Sequence, residues 1–255
     1  MSAANPGRRR YAGLIWLGGF TIVAVVLLIS LGNWQVRRLA YKTTLAIQVT
    51  HRLGEAPVAL PPPALWPAID PELTDYTPVR VTGHYRFDRE FHVFATLLDP
   101  KGPQGGVGWW IFTPLVEADG TTLIVNRGFV PDARKEPATR AEGQIAGEVT
   151  VTGLLRRPEG SNAFTPANDI GRNRWFTRDP VAMAQTLGLA ADRILPFYID
   201  AGKSTTSAAG LPQAGETIID FSNNHLGYAL TWYGLALAAA GVFGAFAWKR
   251  LVSRR

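Results

Sequence analysis

The chain has 255 residues, enough for one or two domains; only 18% are charged, and the mean hydropathy is +0.03. With no cysteine, disulfides, thiolate metal centres, iron–sulfur clusters and covalent c-type haem attachment are excluded. The net charge of +6 is unevenly spread: Arg8, Arg9 and Arg10 open the chain and Lys249, Arg250, Arg254 and Arg255 close it. Each cluster flanks an apolar run, which points to membrane boundaries and away from nucleic acid.

After a basic tail over 1–10, no residue from Tyr11 to Val36 is charged. The core "YAGLIWLGGFTIVAVVLLISL" predicts a span over 11–32, since a bilayer takes ~20 apolar residues. A cleaved signal peptide would have an apolar core of only ~7–15 residues and a small-residue cleavage site. This run is longer and leads into "GNWQVRRLAYK", so it reads as an uncleaved anchor. With ten residues before the run, no mitochondrial transit peptide is expected. The pattern Leu39, Leu45, Ile47, Val49 and Leu53 predicts that the helix continues beyond the membrane. "PVALPPPALWP" predicts an extended connector.

Seven β-rich runs follow, each bounded by Gly, Pro, Asp or Asn. They are "YTPVRVTGHYRF", "EFHVFATLL", "VGWWIFTPLV", "TTLIVNRGFV", "GEVTVTGLLRR", "ILPFYIDA" and "ETIIDFS". Between the second and third, "GPQGGVG" reads as a hairpin loop. "DPVAMAQTLG" predicts a short helix with Asp179 as N-cap, Pro180 in the first turn and Gly188 as the stop. A second uncharged run predicts a span over 225–248, with a basic tail over 249–255. The expected fold class is α+β: a two-helix transmembrane hairpin carrying a largely antiparallel β-rich extracytoplasmic domain over 33–224, with a short helix. A barrel or a curled sheet would satisfy it. Basic residues outside both spans place both termini in the cytoplasm, and long loops translocate largely regardless of charge. The expected location is a bacterial inner membrane, with the main domain periplasmic.

No GxSxG, HExxH, P-loop or glycine-rich dinucleotide turn is present. The histidines are His51, His84, His92 and His225. His84 and His92 are expected on neighbouring strands, where a pair of imidazoles can hold a metal, although histidines on strand surfaces are common. Asp70, Glu72 and Asp75 read as solvated loop charge. In "SNNHLGYALTWYGLALAAAG", Tyr228 and Trp232 fall within ~60° of His225 on a helix, with Gly234, Ala238, Gly241 and Ala245 opposite. The small face is expected to pack on the first span. Tyr228 and Trp232 suit a membrane aromatic belt, and His225 suits either a wet interface position or a ligand. Asn223 and Asn224 can cap the helix or fix the imidazole tautomer. Arg37 and Arg38, just beyond the first span, suit either lipid headgroups or ligand carboxylates.

Five stretches in order resemble the Surf1 family (Shy1 in yeast), assembly factors of haem–copper cytochrome c oxidase. They are "LGNWQVRRLAYK", "YTPVRVTGHY", "GWWIFTPLV", "LIVNRGFVP" and "NNHLGYALTWYGLA", and they span nearly the whole chain. Two departures stand out: Phe129 where tryptophan is usual, and Gly227 where glutamine is usual. The resemblance implies no enzymatic activity but a role in maturing the oxidase catalytic subunit, with haem a received from the haem a synthase. It implies His225 as the axial ligand of haem iron, with Tyr228 and Trp232 flanking the macrocycle. Given such a haem, Arg37 and Arg38, at the matching depth beyond the first span, are expected partners of its propionates, with Arg127 a weaker candidate. Two other readings stay open: a membrane scaffold for oxidase intermediates without haem, or an anchored periplasmic enzyme or solute-binding module.

Overall fold

The computed structural model describes residues 6–189, 194–219 and 223–252. Two compact units emerge: one from Met1–Gln48 with Asp220–Arg255, the other from Val49–Ile219.

The first unit is helical. Helix α1 runs Pro6–Leu53 and helix α4 runs His225–Val252. Both are long and apolar enough to cross a membrane, and little of either is buried. Large apolar side chains such as Trp16, Phe20, Leu237 and Val242 point outward, as a lipid-facing surface requires. The two helices lie antiparallel, with Gly18 against Phe243, Gly32 against Tyr233 and Gln35 bonded to His225. The contact is close at Gly32, where a Cβ would sit 2.5 Å from the Tyr233 ring. On α4 the buried positions are Ala229 and Ala236.

This corrects the expected packing face. Gly234 and Gly241 are exposed, with nothing within 4 Å of where a Cβ would lie. The close approach is supplied by glycines of α1 instead, and the α4 face toward α1 carries His225, Ala229 and Ala236.

The second unit is a β-barrel. It holds α2 (Pro71–Thr74), β1 (Pro78–Tyr85), β2 (Phe91–Leu97), β3 (Gly106–Val116), β4 (Thr122–Pro131), β5 (Glu148–Arg156), α3 (Pro180–Thr186) and β6 (Ile194–Ala201). The strand order is β1-β5-β6-β4-β3-β2, and an extra pairing of β1 with β3 closes a ring of five. All pairings are antiparallel except β4 with β6. Strand β2 hangs on the first half of β3, with Phe91 opposite Phe112. Its free edge is covered by Trp175, which exchanges backbone hydrogen bonds with His92 and Phe94, so no long strand edge is left open there.

Alternation sets the barrel interior. Val79 and Val81 of β1, Val151 and Leu155 of β5, Ile199 of β6, and Leu123 and Val125 of β4 converge on Trp66 and Phe197. A second core gathers Phe112, Trp110, Phe129, Trp175, Met183 and Tyr198 under α3. Asp179 caps α3 through the Val181 and Ala182 amides, as the sequence predicts. Gly188 ends the segment at φ +71, a conformation that glycine adopts without penalty.

Four expectations need correction. "ETIIDFS" is no strand over 216–219, and Asp220 to Ser222 lie outside the described residues. Both edges of β4 and β6 are already paired, so the segment is held by side chains instead. Glu216 Oε2 accepts from the Lys101 amide at 2.8 Å, and Lys101 Nζ donates to the Thr217 carbonyl at 2.8 Å. The proline-rich connector is not extended throughout: Pro63–Ala68 forms a 3₁₀ turn that buries Trp66. His84 and His92 are not on paired strands, because β2 pairs only with β3; His84 is exposed and His92 buried. Asp75 is not solvated: it is buried, with Arg156 Nε donating to its Oδ1 at 2.9 Å.

Candidate functional site

In the helical unit, polar side chains gather where α4 begins. His225 is half-buried, and its Nδ1 lies 2.6 Å from Gln35 Oε1. Gln35 is itself buried, at 8% exposure. The Trp34 ring meets the imidazole edge-on, centroids 6.5 Å apart. Tyr233 Oη donates to Asn33 Oδ1 at 2.7 Å. Asn223 Nδ2 approaches Thr43 Oγ1 at 3.4 Å. A helix pair in lipid gains from such bonds because no water is there to replace them.

An amide oxygen only accepts, so the imidazole nitrogen facing it carries the proton. With the Gln35 amide oxygen toward the ring, the matching tautomer is Nδ1–H; among the described residues Nε2 has no hydrogen-bond partner. That is the arrangement of a metal-binding imidazole: one nitrogen tethered, the other with a free lone pair. The tether comes from α1, not from Asn223 or Asn224; the Asn224 carbonyl accepts the Tyr228 amide at 3.3 Å and so serves the helix start.

Of the residues singled out in the sequence, His225 faces α1. Tyr228 is 58% exposed and Trp232 half-buried, and among the described residues no ring contact or hydrogen bond joins either to the imidazole. Arg37 and Arg38 are exposed, with the Arg38 guanidinium 5.1 Å from the Tyr41 ring centroid. Trp34 and Gln35 were not anticipated. The amide in "GNWQVRR" is a signal of sorts, since a glutamine next to an apolar span needs a partner. Below this cluster an apolar groove of about 660 Å³ runs between Leu17, Thr21 and Leu28 of α1 and Leu235, Val242 and Phe246 of α4.

The β unit holds two buried ionic networks. In one, Glu90 receives two guanidinium N–H groups of Arg140, with His92 Nε2 at 3.1 Å and Arg127 Nη1 at 3.7 Å. Burial raises the Glu90 carboxyl, but hydrogen bonds from His92 and Arg140 outweigh it and leave the pKa below its ordinary value. In the other, Arg156 joins Asp75 to Asp200 and lies 4.2 Å from the Tyr76 ring centroid. Arg127 donates to the Gly143 carbonyl, and its guanidinium lies 5.1 Å from the Tyr85 ring centroid and 4.8 Å from that of Phe87. It lines a cleft of about 400 Å³ with Thr150, Thr152 and Ser204. Burial pushes the Tyr85 phenol up to about 12 despite the Arg127 charge. Among the described residues no group of three or more His, Cys, Asp or Glu is placed to hold a metal ion.

The model of the SURF1 family matches residues 22–237. Surfeit locus protein 1 of Gallus gallus is 35% identical over 92% of this chain and 75% of its own length. The Homo sapiens protein of that name is 36% identical over 94% of this chain and 80% of its own length. The SURF1-like protein of Drosophila melanogaster is 33% identical over 94% and 78%. The match takes in both the β-barrel and the start of α4 with His225, and on that extent the chain belongs to the SURF1 family.

Proposed function

We propose that this chain is a membrane-anchored assembly factor for haem–copper cytochrome c oxidase, not an enzyme, and that its helix pair holds haem a through His225. The observation that carries the reading is the free Nε2 of an imidazole tethered at Nδ1, on a helix flanked by apolar surface. When bound, haem a would supply an iron that takes an imidazole nitrogen and two propionates that take cations. The residues present suit that group. His225 offers one nitrogen donor, Trp34 a flat wall beside it, and exposed Arg37 and Arg38 offer guanidinium forks. Tyr228 and Trp232 lie on the turns after His225, where a macrocycle has apolar surface to rest on. The partners in this reading are the haem a synthase as donor and the oxidase catalytic subunit as acceptor. The β unit lies on the periplasmic side of a bacterial inner membrane.

The test is a visible spectrum of the full chain purified from cells that make haem a. The wild type shows a Soret band, and His225→Ala loses or strongly shifts it. His51→Ala and His84→Ala serve as controls, since both imidazoles are exposed in the β unit, and should keep it. A colourless wild type that still copurifies with oxidase subunits would instead establish a scaffold without haem.

A further inference from the structure

We propose that Gln35 is a positioning residue for His225, one that selects the tautomer leaving Nε2 free to bind a metal. The importance of that nitrogen rests on the haem reading above; the tautomer itself does not.

The geometry carries the argument. The contact is 2.6 Å long and joins residues 190 apart in sequence, one on each helix. Gln35 is 8% exposed, so little water competes for its oxygen. A free imidazole in water divides between two tautomers. Here a single acceptor faces Nδ1, so the neutral ring keeps its proton on that side and its lone pair on Nε2. Trp34 meets the ring edge-on, centroids 6.5 Å apart. The ligand is thus prepared before any metal arrives.

The choice of an amide also has chemical content. A carboxylate opposite Nδ1–H would draw the proton, make the imidazole more basic and strengthen its bond to a metal. A neutral amide orients the ring with much less of that polarisation. A protein that must release its cargo is better served by the weaker donor. Glu at position 35 would convert a releasing site into a retaining one.

The experiment uses the full chain in detergent, without haem, with ¹⁵N-labelled histidine. Long-range ¹H–¹⁵N correlations read which ring nitrogen carries the proton, and His225→Ala assigns the signals. The wild type is expected to show Nδ1–H and a bare Nε2. Gln35→Leu is expected to shift the ring toward the Nε2–H form, and Gln35→Glu to restore Nδ1–H. An Nε2–H ring in the wild type, with the amide donating instead, overturns the proposal. So does a Gln35→Leu protein with unchanged tautomer. If Gln35→Leu fails to fold, the wild type and Gln35→Glu decide between the same outcomes. Loading with haem a then separates the two claims. About 10–100-fold weaker retention in Gln35→Leu supports both. An Nδ1–H ring in a protein that binds no haem sinks the haem reading and leaves the role of Gln35 standing.

Discussion

Glu90 keeps its charge with 2% of its side chain exposed because three cationic or donor groups converge on it. Its pKa is lowered in the fold, so the sign of its pH dependence is fixed. The stabilisation is complete above the unfolded value of about 4.3 and is lost as pH falls through the lower folded value. Urea midpoints of the full chain in detergent, followed by tryptophan fluorescence, should therefore be level above about pH 5 and fall steeply below about pH 4. Glu90→Gln should cost about 3–5 kcal/mol at neutral pH, because it strands Arg140 among buried neighbours, and should flatten the acid limb. An unchanged acid limb would mean that another carboxylate controls it. None of this network was legible in the sequence. Glu90, Arg127 and Arg140 meet only once the chain has closed, and no local pattern marks a carboxylate for burial. His225 could be singled out as a candidate because it stands at the edge of an apolar run; its contact with Gln35 could not be foreseen, because the two are 190 residues apart.

Among the elements, all six strands and the three longer helices were foreseen from alternation, punctuation and apolar length, since those signals are local. The lipid-facing and helix-facing sides of α4 were exchanged. Small residues on one side suggested close packing, yet in a bilayer they are equally at home against lipid, and the side is set by what α1 presents. Gly32, under the Tyr233 ring, is where bulk cannot be added. Cysteines substituted for Leu28 and Leu235, which line one groove, report the helix pairing by their cross-linking yield. Gly32→Leu should lower that yield sharply, and Gly241→Leu should leave it unchanged. Equal effects would return the packing to the other face. The departures from the family pattern fall at contrasting places. Phe129 is fully buried and meets Trp110 at 5.7 Å, so it takes over a core position. Gly227 is exposed with open space where a side chain would be.

For the whole molecule, the expectation that both termini are cytoplasmic is checked by fusions. Alkaline phosphatase joined near Gly143 should be active, and joined after Arg255 inactive; activity at the second site would refute the two-span topology. The barrel itself was legible only as a choice between a closed and a curled sheet, because closure depends on pairings far apart in sequence. That closure is narrow. β1 meets β3 at only two register positions, His84 with Val116 and Tyr85 with Leu115, and Arg86 donates to Pro114 just beyond. Two of the other joins pair Val79 with Gly153 and Ile124 with Tyr198, each more than 70 residues apart, and a third pairs Gly153 with Ala201. A chain with so many distant pairings folds slowly, because each loop must close before its contacts form. The short β1–β3 join gains least from early closure and should be the last to set. In pulse-labelled hydrogen exchange during refolding, the amides of His84 and Arg86, which face β3, should gain protection after those of Val79 and Val151. In the native state the same two amides should open first, so the barrel carries a built-in seam through which it unzips before it unfolds.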